Sequence, residues 1–189
     1  MKRPYIVILI LFLSNLFCYA QGGKTQWDNT VNKNWPAGFV QTEIKSSADG
    51  SNQKVWFYKS SQSIPQPLII SLHTWSGDYN QEDPLAKEIL LRDWNYIHPD
   101  FRGPNNNPKA CGSSLVIADL EDAIHFAVKN CNVDTNNVHM IGVSGGGYTA
   151  MLAYMKINYP VKSFNAWVGI SNLSDWYWES KGRNAKYAG

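Results

Sequence analysis

From Leu68 onward, short apolar runs alternate with amphipathic stretches, and this alternation restricts the fold more than any other feature of the chain. Leu68-Ile69-Ile70-Ser71-Leu72 is almost continuously apolar, as a strand buried on both faces must be. Asp83-Pro84 then opens a helix, the aspartate as cap and the proline in the first turn, with Leu85, Ile89 and Trp94 on one side. Tyr96-Ile97 begins a short strand. Val116, Leu120, Ile124 and Val128 recur every four residues and predict a helix from Ser113 to about Lys129. Val138–Val143 reads as a strand, Tyr148–Ile157 as a helix and Phe164–Ile170 as another strand. Strand and helix in this order predict an α/β fold: a mostly parallel sheet with helices on both faces. Ahead of it, Phe39–Ile44 and Lys54–Tyr58 flank the turn Ala48-Asp49-Gly50-Ser51 and predict an antiparallel hairpin.

The 189 residues, 44% of them hydrophobic, suit one globular domain with a buried core. Lys2 and Arg3 precede an apolar run from Tyr5 to Leu13, resumed at Leu16–Ala20, with a small residue before Gln21. That is the anatomy of a signal peptide over residues 1–20, cleaved after Ala20, followed by one domain over 21–189. The run is short for a membrane span and is broken by Ser14-Asn15, so no stable membrane insertion is expected after cleavage. A secreted or periplasmic location follows. Lys plus Arg number 17 against 15 Asp plus Glu, and losing Lys2 and Arg3 leaves no formal net charge. Nothing in that balance suits a nucleic-acid partner. Two cysteines remain after cleavage, Cys111 and Cys131. The helix between them would hold its ends about 27 Å apart, against the roughly 7 Å between Cα atoms that a disulfide needs. They are not expected to pair or to share a metal. No metal and no cofactor is expected elsewhere.

One stretch carries chemistry. Gly142-Val143-Ser144-Gly145-Gly146 lies between an apolar strand and an amphipathic helix. A serine in so sharp a turn has a strained backbone, and the residues two before and two after it must be small, which Gly142 and Gly146 satisfy. The turn lifts the hydroxyl above the sheet edge at a helix N-terminus, where the helix dipole favours developing negative charge. Ser144 is thus the candidate nucleophile. Ser71–Asp78, at the end of the buried strand, sits where a loop can lend one backbone N–H to an oxyanion. The candidate donors are the N–H groups of Trp75 and Gly145. His73 either pins this loop by hydrogen bonds to backbone or serves as a base; as a neighbour of the site it is also a possible substrate contact.

These segments resemble the α/β-hydrolase superfamily, and within it the catalytic domain of prolyl oligopeptidase-type serine peptidases and related esterases. Pro99-Asp100-Phe101-Arg102-Gly103, Asp119-Leu120-Glu121-Asp122-Ala123, Asn132-Val133-Asp134 and Gly142–Tyr148 carry the likeness, with Ser174-Asp175-Trp176 and Lys186–Gly189 behind them. It spans roughly residues 39–189 and implies a serine nucleophile with the oxyanion donors named above. His73-Thr74 departs from the family's His-Gly and leaves the donor to be identified. Asp100, Arg102, Asp119 and Asp122 are expected to form a structural network tying the strand-end loop to the following helix.

In this superfamily the triad runs serine, acid, histidine along the chain. His73, His98, His125 and His139 all precede Ser144, and only Asp175 and Glu179 are acids after it. Asp175 follows the sixth strand, a less usual place for the acid. The acid and histidine, with two strands, are therefore expected beyond residue 189. Trp75, Trp176 and Trp178 follow strand ends on the nucleophile's side, either as stacking surfaces for sugar rings or as an apolar wall. Three readings follow: a serine hydrolase acting on a peptide or acyl ester, an esterase acting on an acetylated glycan, and a silent glycan-binding remnant.

Overall fold

The computed structural model describes residues 34–182. The expected signal peptide and the Lys186–Gly189 motif lie outside the described residues. Six strands form one mixed sheet in the order β1-β2-β4-β3-β5-β6. They are β1 (Val40–Lys45), β2 (Asn52–Tyr58), β3 (Gln66–Leu72), β4 (Asn95–Pro99), β5 (Val133–Val143) and β6 (Ser163–Trp167). Four helices cover it: α1 (Leu85–Arg92), α2 (Ser114–Asn130), α3 (Gly145–Lys156) and α4 (Leu173–Gly182). β1 and β2 form the expected hairpin, with Gly50 at φ 73° in its turn. β2 then joins β4 antiparallel, while β4, β3, β5 and β6 run parallel.

The core follows from the apolar spacing. Val116, Leu120, Ile124 and Ala127 of α2 are fully buried against Leu68 and Ile70 of β3, Ile97 of β4 and Met140 of β5. Ser113 caps α2, its side chain accepting from the Val116 N–H. A second cluster forms on α1, where Phe39, Ala86, Ile89 and Tyr96 are buried with Trp35, Trp56 and Trp94 around them.

Among the boundaries that differ from the sequence expectation, four have a physical cause in the backbone. α1 ends at Arg92 because Asp93 is left-handed (φ 53°, ψ 47°), so Trp94 packs on the cluster from outside the helix. β5 starts at Val133, where a register shift in β3 between Gln66 and Leu68 allows an extra pairing ahead of the apolar run. α3 starts at Gly145, three glycines earlier than propensity suggests, because the Ser144 turn feeds directly into it. β6 stops at Trp167, since Val168 at φ 43° cannot continue a strand. α4 carries no buried apolar side chain, only buried Ser180, which is why no apolar period announced it. Cys111 and Cys131 are free thiols on either side of α2. Among the described residues no helix is long and apolar enough to cross a membrane.

Candidate active site

The carboxyl ends of β3, β4, β5 and β6 lie side by side, and each runs into a loop or helix that builds one site. β5 delivers Ser144, whose backbone is held at φ 55°, ψ −115°. This is a costly conformation for a residue with a Cβ, and it persists only where the surroundings enforce it. The Ser144 N–H donates to the Trp167 carbonyl at 2.9 Å, tying the turn to the end of β6, and its own carbonyl accepts from the Tyr148 N–H at 3.0 Å. A methyl on Gly142 would collide with the Gly146 backbone, and one on Gly146 with the Leu72 and His73 carbonyls. Both positions must stay bare for the chain to turn here. The Ser144 hydroxyl makes no capping bond to its own helix.

The second wall is the loop after β3. The Trp75 backbone nitrogen lies directly against Gly145, where even a single methyl would strike it. The two candidate donors are thus neighbours, and Gly145, as the first residue of α3, has an N–H without an intrahelical acceptor. The Thr74 N–H is already spent on the Gln81 side-chain oxygen at 2.9 Å, which the Thr74 hydroxyl also reaches at 3.0 Å. That leaves the next peptide. The Thr74 carbonyl sits 2.9 Å from His73 Nδ1 and accepts from the Gly77 N–H at 3.1 Å. Because the peptide is planar and trans, holding that carbonyl directs the Trp75 N–H the opposite way. On the far side the Trp75 carbonyl accepts from the Asn105 N–H at 2.8 Å. Threonine at position 74, where the family has glycine, thus leaves the Trp75 nitrogen against Gly145.

His73 is buried, stacked 3.8 Å from the Phe101 ring, and its other nitrogen is 2.8 Å from the Asp100 carbonyl. Burial pushes its pKa down. With both nitrogens facing backbone carbonyls, no lone pair is directed at Ser144. The geometry is that of the loop-pinning role. His98 is also buried, 3.9 Å from Asp83, and burial with neighbouring His73 pushes it down to about 3. Asp83 accepts from the Tyr96 hydroxyl and from the Leu85 N–H, and burial raises its carboxyl above the usual range. His125 packs edge-on to Tyr159, and His139 contacts the Ser163 hydroxyl at 2.8 Å from mid-β5.

Of the four charged residues, Arg102 and Asp119 form the expected brace between the β4 loop and α2, while Asp100 and Asp122 hold backbone N–H groups elsewhere. Arg102 grips Asp119 of α2 with two bonds, at 2.6 and 2.8 Å, and reaches Asp49 in the hairpin turn at 2.7 Å. Asp122 accepts the Ser47 N–H at 2.7 Å, and Asp100 accepts the Tyr79 N–H at 3.0 Å. Asp175, in the first turn of α4, is exposed and accepts from the Asn172 side-chain amide at 2.8 Å. Of the three tryptophans, Trp75 and Trp176 meet with ring centroids 4.6 Å apart. Trp178 instead faces solvent beside Tyr177 and Lys181. Among the described residues no three His, Cys, Asp or Glu side chains converge as metal ligands would. Sequence reasoning missed Gln81 and Asn105, both buried, which anchor the loop through the Gln81 side-chain oxygen and the Asn105 backbone N–H. Only Asn105 had a flag in the sequence, the Pro104-Asn-Asn-Asn-Pro108 turn.

No protein-family model matches the chain, and no curated protein matches it. Solved structures do. An acylaminoacyl peptidase from Pyrococcus horikoshii superposes with a TM-score of 0.63 at 17% identity, over 77% of this chain and 27% of that one. An acylaminoacyl peptidase in complex with Z-Gly-Gly-Phe-chloromethyl ketone gives 0.60 at 19% identity, over 74% and 24%. The S-formylglutathione hydrolase of Staphylococcus aureus gives 0.61 at 10% identity, over 74% and 60%. The chain thus spans about a quarter of the length of these peptidases and less than two thirds of the hydrolase. Together with the mixed sheet and its order, these matches show that the chain has the α/β-hydrolase fold.

Proposed function

We propose that the chain carries the nucleophile half of a serine hydrolase, acting on peptide or ester bonds through an acyl-enzyme on Ser144. The observation that carries this reading is the strained Ser144 backbone at the β5–α3 junction, with the Trp75 nitrogen packed on Gly145. Strain of this kind is kept where a side chain must be presented. Ser144 Oγ attacks the acyl carbonyl, and the oxygen that becomes negative sits between the N–H groups of Gly145 and Trp75, each aimed before the charge appears. His73 acts on the reaction only through the Thr74–Trp75 peptide that it holds. The base is not one of the four histidines, and the acid and base of the triad come from outside residues 34–182. Asp175 has no histidine to orient among the described residues and is the weaker candidate for the acid. Residues 1–20 direct export to a secreted or periplasmic location.

Fluorophosphonate labelling tests the nucleophile. The full gene product should take the label on Ser144, mapped by mass spectrometry, and Ser144→Ala should lose it; a label that survives the substitution ends the reading. Triad residues act as a unit, so the 21–189 chain by itself should hydrolyse a small activated acetyl ester at no more than a residual rate, roughly 10³–10⁴-fold over water and far below that of an intact triad. Brisk turnover abolished by His73→Ala would make His73 the base and overturn the assignment above. N-terminal sequencing of exported protein should begin at Gln21.

A further inference from the structure

We infer that the cavity between the 104–111 loop and α4 is a subsite for an uncharged carbohydrate. The inference rests on the serine-hydrolase reading of Ser144. The cavity has a volume of about 580 Å³, within the range of small-molecule sites, and it adjoins the elbow through Trp75, which lines it as well as packing on Gly145.

Three features of its wall point to the ligand. Trp75 and Trp176 set two indoles 4.6 Å apart at 49°, with Tyr177 beside them, a surface that receives the C–H face of a pyranose. Asn105 and Asn106 also line the cavity. Asn105 is 2% exposed; its Oδ1 is committed to the Cys111 N–H at 3.0 Å, which fixes the amide's orientation and leaves Nδ2 as the donor without a partner. Asn105 Nδ2 is itself enclosed by protein, so the amide that a ligand can meet at this wall is that of Asn106. Asn106 is exposed at the rim. Its neighbour Asn107 is consumed by the loop itself, bonding Pro104, Lys109 and Ala110. The third feature is that no acidic, basic or histidine side chain lines the cavity. A uronate carboxylate or a charged peptide side chain would lose its water here and find no countercharge.

Isothermal titration of the full chain tests this with xylohexaose, mannohexaose and cellohexaose, against hexagalacturonate and the neutral peptide N-acetyl-trialanine amide. At least one neutral hexaose should bind, at least tenfold tighter than hexagalacturonate and than the peptide. Trp176→Ala should weaken that binding at least tenfold and Asn106→Ala by a few-fold, with circular dichroism unchanged. Equal binding of hexagalacturonate, preferential binding of the peptide, no binding of any hexaose, or indifference to Trp176→Ala would each overturn the subsite. The nucleophile is read separately by the fluorophosphonate label. A protein that binds glycan but refuses the label keeps the subsite and loses the hydrolase; one that labels but binds no glycan does the reverse.

Discussion

The two margins of the sheet are finished in different ways. At the β1 edge the strand alternates polar and apolar residues, with Glu43 and Lys45 on the outer positions, and its turn is fastened to the body by Arg102 and Asp122. Charges on an edge strand discourage pairing with another chain. At the β6 edge there is no charge in the strand, and Trp167 and Val168 are 61% and 83% exposed. Tyr154 and Met155 of α3 are exposed alongside, over an apolar hollow of about 660 Å³. One margin is braced by ion pairs and the other is bare hydrocarbon, so equal chemical insults should have unequal effects.

The largest effect should come from the braced side. Arg102 and Asp119 are 5% and 1% exposed in their side chains, so Arg102→Ala strands a buried carboxylate and should cost about 3–5 kcal/mol in urea denaturation. A loss under 1 kcal/mol would mean that the brace is decorative. Next comes an apolar truncation in the core that both margins share. Leu120→Ala should cost about 3 kcal/mol by the same assay, since the residue is fully buried on α2.

The third prediction concerns the buried polar cluster under the oxyanion loop. His98 has a folded pKa of about 3, below the roughly 6.5 of an unfolded histidine. Its contribution is therefore complete above pH 6.5 and is lost as pH falls toward 3, at about 1.4 kcal/mol per pH unit. The stability gap between wild type and His98→Gln should narrow over that window; a gap independent of pH would show that His98 is not held neutral. Asp83, raised by burial, works in the opposite direction, contributing at low pH and losing its contribution as pH rises through its folded pKa.

The smallest effect belongs to the bare side. Val168→Ala should stay within about 0.5 kcal/mol, because the two carbons removed are exposed to water in both states. In the 21–189 chain, Trp167→Lys should leave stability similarly unmoved while reducing self-association in sedimentation velocity, since it places a charge on the β6 edge. If Trp167→Lys instead unfolds the chain, the β6 margin is not the exposed edge described here.

The order of elements as far as β6, the parallel centre, the hairpin and the turn at Ser144 were all legible in the residues. Each depends on local rules: period 2 or 4 in apolar residues, a cap, a proline, small residues around one serine. Those rules act over a few positions, so they are written in the sequence itself. The boundaries that failed, such as Trp94 outside α1, the early start of α3 and the early stop of β6, were decided by backbone conformation at Asp93, Ser144 and Val168. Positive φ at such residues is imposed by contacts from elsewhere in the chain. Tertiary structure alone decided that His73 sets its two nitrogens against the carbonyls of Thr74 and Asp100, that Thr74 gives its N–H to Gln81, and that Trp176 meets Trp75 while Trp178 does not. These pairs lie from one to about a hundred residues apart. No local period connects them, because hydrogen bonds and ring contacts depend on where the folded loops finally lie.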